Sequence, residues 1–538
     1  MINQAALRLA VWSTSLGLSM FAQPTSVQRG AIPYTLEFIQ IYGDTSPTPA
    51  PVNPPPPPQL PPDPAPPPAL QPFHSYCVAV DPSGGWYLVG GRWWQGLHQF
   101  RSNQGAQNFL PKGTNPYLWY IDPVAKTATQ LMDLRTLPAS LSAPLMSTNS
   151  QCLYDPSSDS WLIAGGYGVD PASSSGNMKV FDILLRLNPR KIATIARNTA
   201  VSPSARLQAI QAAVQVVQGA PPGWFDVTGG QLRVLGPIAA PTYVLLFGQK
   251  FTGNYNPFNQ SPDQDYTEEI RYFRISQNPF RVISSGRLTA PSPTGPNADH
   301  PFHRRDLPLV NSVDPATGSF RISALGGVFP PGLIAGYLYP VQVTVRNNQI
   351  TPVIDRASVK RFSQYQCPTV VIWDAAGRTV YHTSFGGIGH YYYHYDRFQQ
   401  QVYDSVTRVG RNDGLPFIGD ISTFLLRADG SSAEFIAPDP IPQNKLRGTS
   451  IEFIPSPSAT PFMLANGVLN LQSIQPNARI RVGYIYGGVE AVYPLPVIPS
   501  FGTLASNALY EVYLTRKPWD GIPASAAHEA RGLFAHAN

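Results

Sequence analysis

The chain has 538 residues, of which 13% are charged, 11% are aromatic and 58 are proline. This composition favours short strands joined by many turns over a helical protein. The net charge of +6 is spread thinly and contains no Lys or Arg run of the kind that tracks phosphates, so nucleic acid is not expected as a partner. No segment after the N-terminus has 18 uninterrupted apolar residues, which argues against a transmembrane helix.

The first 23 residues have the pattern of a Sec-type signal peptide. Arg8 precedes a weakly apolar stretch, and small residues lead to a cleavage position after Ala22 or Gln23. The alternative is an N-terminus that is disordered or bound to a partner. We therefore expect export to the periplasm, the cell surface or the extracellular space.

Two further segments precede the main domain. Residues 24–45 contain one predicted strand, in which Tyr34, Leu36 and Phe38 alternate with other residues. Residues 46–72 are so rich in proline that we predict an extended polyproline linker, because proline fixes φ and has no N–H for a strand ladder. At about 3.1 Å per residue the linker could reach roughly 80 Å. The strand could therefore pair far from its own origin, including with another molecule.

From residue 73 onward one pattern recurs: an Asp-led turn, an apolar or aromatic run, and two glycines. The clearest copies are VDPSGGWYLVGG (80–91), YDPSSDSWLIAGG (154–166), VDPATGSFRISALGG (313–327) and WDAAGRTVYHTSFGG (373–387). With degraded glycine pairs at Gly248 and Gly467 they make six units about 60 to 80 residues apart, a spacing typical of propeller blades with loop insertions. Each unit reads as four strands. The sixth lacks a fourth strand, which the 24–45 segment could supply to close the ring.

This order of turn, aromatic strand, glycine pair and long loop resembles the kelch-repeat family of β-propellers over residues 73–518. The resemblance implies an all-β fold with six blades, or seven as the alternative. The chain departs from the family pattern because the final strand TATQLMDL has no Trp and two glycine pairs are degraded.

Two helices are predicted outside the repeats. One covers 202–219, with Leu207, Ile210, Val214 and Val217 on one face and Ser202 or Ser204 as its cap. The other is a short helix within the C-terminal tail, residues 519–538.

The three cysteines each lie just upstream of a copy of the repeat. Cys77, Cys152 and Cys367 are interpreted as small buried strand residues, with one disulfide or a pair of metal thiolates as the alternatives.

In a propeller, the loops after the glycine pairs and the entries to the first strands lie on one face around the channel. Here those segments are rich in aromatic, His and Arg side chains, which can stack on sugar rings, anchor a protein or hold a carboxylate. The candidate ligand or partner residues are Trp93, Trp94, His98, Tyr255, His303, Arg304, Arg305, Arg361, His390, Tyr392 and His394.

No catalytic residue, cofactor or metal is assigned. GxSxG, P-loop and dinucleotide fingerprints are absent from the sequence. His390 and His394 could share a metal only on a helix, and no Glu lies between them. The segment from Asp299 to Asp306 is either an anion or metal pocket or a solvated turn with internal Asp–Arg pairs.

Two enzyme families share the kelch-type resemblance. Copper radical oxidases need a Tyr cross-linked to a Cys, and neither Cys77 nor Cys152 aligns with such a partner. The sialic acid mutarotases need a general acid and base. In that comparison Arg304, Arg305 or Arg361 would hold a carboxylate, but no Asp or Glu is marked as the base.

We therefore predict an exported, non-enzymatic binding or assembly subunit. It would contact protein or glycan through a propeller face and through its tethered N-terminal strand, which could extend a neighbour's sheet. The alternative is a carbohydrate-active enzyme of the kelch type.

Overall fold

The computed structural model describes residues 32–43, 69–93, 96, 109, 111–174, 176–236, 240–255, 264–290, 300–333, 335–346, 349–393, 402–404, 415–437, 440–442, 445–491 and 503–518. The predicted signal peptide, nearly all of the proline-rich linker and the C-terminal helix lie outside these residues. Within them, no helix is long and apolar enough to cross a membrane.

Strands dominate the structure. In chain order they are β1 (Tyr34–Tyr42), β2 (Phe73–His74), β3 (Cys77–Val80), β4 (Trp86–Val89), β5 (Arg92–Trp93), β6 (Tyr117–Asp122), β7 (Thr127–Asp133), β8 (Gln151–Asp155), β9 (Ser160–Ala164), β10 (Tyr167–Val169), β11 (Met178–Val180), β12 (Leu184–Leu187), β13 (Val214–Val216), β14 (Gln231–Leu235), β15 (Thr242–Leu246), β16 (Gln249–Phe251), β17 (Gln264–Tyr266), β18 (Glu269–Gln277), β19 (Phe280–Thr289), β20 (Leu309–Val313), β21 (Phe320–Ala324), β22 (Val341–Arg346), β23 (Gln349–Ile354), β24 (Thr369–Asp374), β25 (Thr379–Ile388), β26 (Tyr391–Tyr393), β27 (Val402–Asp404), β28 (Phe417–Arg427), β29 (Ser432–Ile436), β30 (Leu446–Thr449), β31 (Ile454–Pro455), β32 (Leu469–Asn470), β33 (Arg479–Tyr486), β34 (Val489–Ala491), β35 (Thr503–Ala505) and β36 (Leu509–Arg516). The α-helices are α1 (Ala139–Leu145), α2 (Pro189–Arg197) and α3 (Pro203–Ala212).

Six antiparallel sheets of the same design follow one another along the chain. In strand order, sheets 1 to 6 are β3-β4-β6-β7, β8-β9-β12-β13, β14-β15-β18-β19, β20-β21-β22-β23, β24-β25-β28-β29 and β31-β33-β36-β1. The short strand β32 adds in parallel to the outer side of β24. The protein is thus all-β, as predicted, and its sheet order is compatible with a β-propeller.

The N-terminal strand completes sheet 6. β1 pairs antiparallel with β36, from Tyr34 opposite Arg516 to Tyr42 opposite Leu509, so the prediction that this segment supplies the missing fourth strand is confirmed. Tyr34 is fully buried, and the Phe38 ring stacks on Tyr510 with centroids 4.2 Å apart. The strand therefore pairs within its own chain, where it forms the outer strand of sheet 6.

Six residues just before the first strands form a closed circle of backbone hydrogen bonds, which we call the axial ring. Each N–H donates to the carbonyl of the equivalent residue in the preceding sheet, at 2.7 to 3.3 Å, and Ser75 closes the circle onto Ser450. The members are Ser75, Asn149, Gly229, Asp306, Gln366 and Ser450. Apart from Gln366 they have positive φ, which explains the choice of short polar residues and Gly there. The ring places the first strands of all six sheets around one axis.

The glycine pairs lie where each second strand passes close to the next sheet. The N–H of Gly166 donates to the Val227 carbonyl at 2.8 Å, and a Cβ on Gly165 would lie 2.1 Å from that oxygen. The prediction that Gly467 marks the sixth glycine pair is wrong, because Gly467 lies in a turn before β32. The sixth pair is instead Gly487–Gly488, where the Gly488 N–H donates to the Phe73 carbonyl at 2.8 Å. The repeated glycines are therefore contacts between sheets.

The predicted helix over 202–219 is too long. α3 ends at Ala212, and its cap is Ser202, whose side chain accepts from the Ala205 N–H. Val214–Val216 instead forms β13, the outer strand of sheet 2, paired with β12. The open edge of β12 and the β-branched valines outweigh the helical spacing.

Cys77 and Cys152 form a disulfide between β3 and β8, the first strands of sheets 1 and 2. Their interpretation as ordinary buried residues is therefore wrong, and the disulfide alternative is the one observed. Cys367 is buried as a free thiol, and burial raises its pKa.

Candidate functional site

A cavity lies against the axial ring on the side of the glycine pairs. The ribbons β10–β11, β16–β17 and β26–β27 rise on this side. We call the space the axial cavity; its volume is about 60 Å³, several times what one water needs. Its lining is Phe109, Thr148, Asn149, Tyr167, Thr228, Gln249, Phe251, Tyr255, Arg305, Asp306, Phe329, Tyr365, Ile388, Leu415 and Phe417. Asn149 and Asp306 belong to both the ring and the lining, so the ring forms the floor.

Arg305 supplies a fixed positive charge to the cavity wall. One terminal nitrogen of its guanidinium donates to the Gln249 side-chain oxygen at 2.8 Å, and its Nε lies 3.6 Å from an Asp306 carboxylate oxygen. The guanidinium also lies over the Phe329 ring, 4.7 Å from the centroid. A buried cation needs such partners, and together they hold the guanidinium plane in one orientation.

The aromatic part of the wall adjoins Arg305, whose guanidinium lies 6.0 Å from the centroid of the Tyr255 ring, and it is equally fixed. The Tyr167 hydroxyl donates to the Gly253 carbonyl at 2.8 Å and accepts from the Tyr255 N–H at 2.9 Å. Phe251 packs edge-on against Tyr255 with centroids 5.2 Å apart. Burial raises the pKa of Tyr167, so its phenol stays neutral and keeps its proton for that donation. The cavity therefore combines rigid rings with an Arg, a carboxylate and an amide.

The structure brings Tyr255 and Arg305 together in this cavity, but not Arg304. The Arg304 side chain is fully buried and donates to the carbonyls of Pro301, Gly326 and Tyr339. Its guanidinium also lies 4.1 Å from the centroid of the Tyr337 ring. The interpretation of this segment as a solvated turn is wrong for Arg304, which holds the loop between β19 and β20 against sheet 4.

His303 lies outside the cavity lining. Its ring stacks on Tyr266 with centroids 3.7 Å apart, and its Nδ1 lies 2.5 Å from a Glu268 oxygen. His300 approaches the second Glu268 oxygen at 3.3 Å. Burial lowers the pKa of His303, and Glu268 opposes that shift only in part. This pair of imidazoles braces the β17–β18 junction.

The remaining candidates are dispersed. Trp93 on β5 donates from its indole to the Thr114 carbonyl at 3.1 Å, and the backbone N–H of Arg361 donates to the Glu434 carboxylate at 2.6 Å. His390 is buried, and its Nδ1 accepts from the Gly336 N–H at 3.1 Å. Tyr392 lies on β26, and its side chain is not described. Trp94, His98 and His394 lie outside the described residues.

Metal binding has no candidate within the described ranges, where no group of three or more His, Cys, Asp or Glu side chains could hold an ion. Because His394 is outside those ranges, the pairing of His390 with His394 stays a hypothesis.

Tyr167, Gln249 and Asp306 line the axial cavity but are missing from the candidates named from the sequence. A signal was available, because Gln249 and Tyr167 each directly follow a unit's glycine position, as in GYGVD and GQKF. Asp306 gave no such signal, since its place in the axial ring depends on pairing between sheets.

No protein-family profile and no curated protein matches this chain. Among solved structures, YjhT is 13% identical over 79% of this chain and 96% of its own, with a TM-score of 0.40. A chain from a complex of RAG with one melted and one unmelted RSS is 11% identical over 84% and 96%, at 0.34. A fungal alcohol oxidase of the AA5 family, solved with copper, is 10% identical over 80% and 78%, at 0.32. At these values the likenesses carry no information on activity.

Proposed function

We propose that the six sheets are the blades of a kelch-like propeller and that the protein binds a small polar ring compound, of the sugar class, in the axial cavity. The observation that carries this proposal is that the Arg305–Asp306–Gln249 group and the rings of Tyr255 and Phe251 line the same cavity. Sugars offer apolar C–H faces for aromatic rings and hydroxyls for charged and amide groups.

Ligand binding in the cavity is favoured over assembly through the N-terminal strand. β1 already has its partner in β36, so a neighbour's sheet would have to compete with an intramolecular strand. An intramolecular strand has the advantage in that competition, because attachment to the same chain raises its effective concentration. Contact with a protein partner at the same face remains a second use of the surface.

Acid–base chemistry on a sugar is the second candidate function, and the buried Asp306 carboxylate favours it. Opening or closing a sugar ring needs only a positioned acid and base. Arg305 beside it could hold the carboxylate of an acidic sugar through two parallel hydrogen bonds. Binding and catalysis would then use the same cavity.

The test is titration of the purified protein with neutral and acidic monosaccharides, followed by calorimetry and by ligand-observed NMR. We expect one sugar class to bind, and Arg305→Gln and Tyr255→Ala each to weaken it at least tenfold. Arg479→Gln is the matched control, because it breaks an exposed Arg–Glu pair far from the cavity. Binding that survives both cavity substitutions would contradict the proposal. Faster exchange between anomers, lost in Asp306→Asn, would establish the enzymatic candidate.

We further propose that the protein is exported. The Cys77–Cys152 disulfide supports this, since structural disulfides persist mainly in oxidising compartments. Fractionation of cells that produce the full chain would show it outside the cytoplasm with its N-terminus shortened; an intact N-terminus on cytoplasmic protein would contradict export.

A further inference from the structure

A second and larger cavity lies on the opposite side of the axial ring. This space, which we call the central channel, has a volume of about 700 Å³, within the range of small-molecule sites. Every sheet contributes to its wall from its first strand; the six representatives are Val78, Leu153, Arg233, Val310, Val371 and Ile454. The axial ring separates it from the axial cavity, so the two spaces can be filled independently.

The channel wall is mainly apolar along its length. Val78, Val80, Leu153 and Val310 are only partly buried, because they border the channel. At the end away from the ring, the wall is formed by hairpin turns that include Asp81–Pro82 and Pro156. A first strand of four or five residues at about 3.3 Å each gives a depth of roughly 13 to 17 Å. The space thus suits an elongated apolar molecule that enters from the turns.

One ion pair crosses the channel near its closed end. Arg233 on β14 of sheet 3 lies 3.3 Å from both carboxylate oxygens of Glu452, which precedes β31 of sheet 6. Arg233 also donates to the carbonyls of Leu309 at 2.7 Å and Leu232 at 2.8 Å. It is the single basic side chain among the described residues that line the channel.

The two members of the pair are held unequally. The Arg233 side chain is 13% exposed and fixed by two backbone carbonyls, whereas Glu452 is 42% exposed. An exposed carboxylate gains little from an ion pair and can turn away at low cost. A carboxylate from outside could therefore replace Glu452 on a guanidinium that is already in position.

We propose that the central channel binds an elongated apolar carboxylate, such as a medium-chain fatty acid. Its carboxylate pairs with Arg233 in place of Glu452, and its chain lies along the apolar first strands towards the hairpin turns. The ligand's chain would remove the apolar side chains of the wall from water, and its carboxylate would keep the Arg233 guanidinium neutralised. This inference does not depend on the proposed sugar site.

The test compares dodecanoate with dodecanol by calorimetry on the full chain, below the concentrations at which either aggregates. We expect dodecanoate to bind at one molecule per chain and dodecanol at least ten times more weakly. Glu452→Gln should tighten dodecanoate binding severalfold, because the competing carboxylate is gone, and leave dodecanol unchanged. Arg233→Gln should abolish the preference for the acid, and Val310→Trp, which fills the channel, should abolish both.

Arg479→Gln is the matched control and should change neither affinity. Several dodecanoate molecules per chain, or an affinity that is the same in the unaltered protein, Glu452→Gln and Val310→Trp, would overturn the proposal. Arg233 donates to two backbone carbonyls, so Arg233→Gln could fail to fold. In that case Glu452→Gln and Val310→Trp still decide the test. Sugar binding that persists in Val310→Trp would confirm that the two cavities are separate.

Discussion

Replacing Phe38 with Ala tests whether β1 holds the circle of sheets closed. Phe38 lies in the middle of β1, and its ring stacks on Tyr510 at 4.2 Å and on Phe385 at 5.3 Å. Tyr510 belongs to sheet 6 and Phe385 to sheet 5. The side chain therefore joins β1 both to its own sheet and to the neighbouring one.

The expected cost follows from these contacts. Truncation of a fully buried Phe to Ala costs roughly 3 to 5 kcal/mol, including the cavity that remains. Phe38 is only partly buried, which lowers the estimate, but it also loses two aromatic pairs worth about 0.5 to 1.5 kcal/mol each. We expect Phe38→Ala to lower the free energy of unfolding by about 2 to 4 kcal/mol.

Urea unfolding followed by tryptophan fluorescence measures this change as a shift in midpoint. Ile39→Ala is the matched control, because the next residue along β1 points to the other face and is 40% exposed. It should cost well under 1 kcal/mol. If Phe38→Ala were no more destabilising than Ile39→Ala, β1 would not be packed in sheet 6 and the closure of the circle by this strand would be refuted.

Three further predictions follow from individual contacts. In the same urea assay, Gly165→Ala should destabilise the protein by at least 1 kcal/mol more than Gly223→Ala. Both glycines have positive φ, but only at Gly165 does a carbonyl oxygen lie 2.1 Å from the new Cβ. Equal costs for the two variants would contradict the contact between sheets. Without reductant, the unfolded protein should show one reactive thiol, Cys367, whereas three reactive thiols would rule out the disulfide. The free energy of unfolding of the Cys77→Ala/Cys152→Ala variant should be about 4 kcal/mol lower, because the disulfide spans 75 residues. Burial, assisted by Arg321, lowers the pKa of His382 to about 3, so the folded state keeps this imidazole neutral while the unfolded chain protonates it near pH 6.5. The stabilising contribution of neutral His382 is complete above pH 6.5 and is lost as the pH falls towards 3. When the pH is lowered from 7.5 to 5.5, the free energy of unfolding of His382→Gln should therefore fall by about 1.4 kcal/mol less than that of the unaltered protein. An equal fall in both proteins would show that His382 is charged in the fold.

The strand plan was accessible from the sequence because its signals are local. The Asp-led turn, the apolar run and the glycine pair recur in four of the six units, and the alternation in YTLEFIQIY marks a strand wherever it pairs. Local signals failed where a competing partner decided the outcome. Val214 continues a helical spacing but joins the edge of β12, and the two-residue strand Ile454–Pro455 is too short to reveal the sixth unit and its Gly487–Gly488 pair.

In the candidate site, too, the sequence does not distinguish adjacent residues that the structure places in different environments. Arg304 and Arg305 look alike in the sequence, yet one is enclosed by three carbonyls and the other lines the axial cavity. The sequence pattern places Asp306 in a turn. Only the structure shows that its backbone N–H donates to the Gly229 carbonyl of the preceding sheet. Sequence periodicity determined which segments become most of the strands. Only the tertiary structure decided which of those side chains meet, because a closed circle of sheets joins residues far apart in the chain and the direction of each side chain depends on the neighbouring sheet.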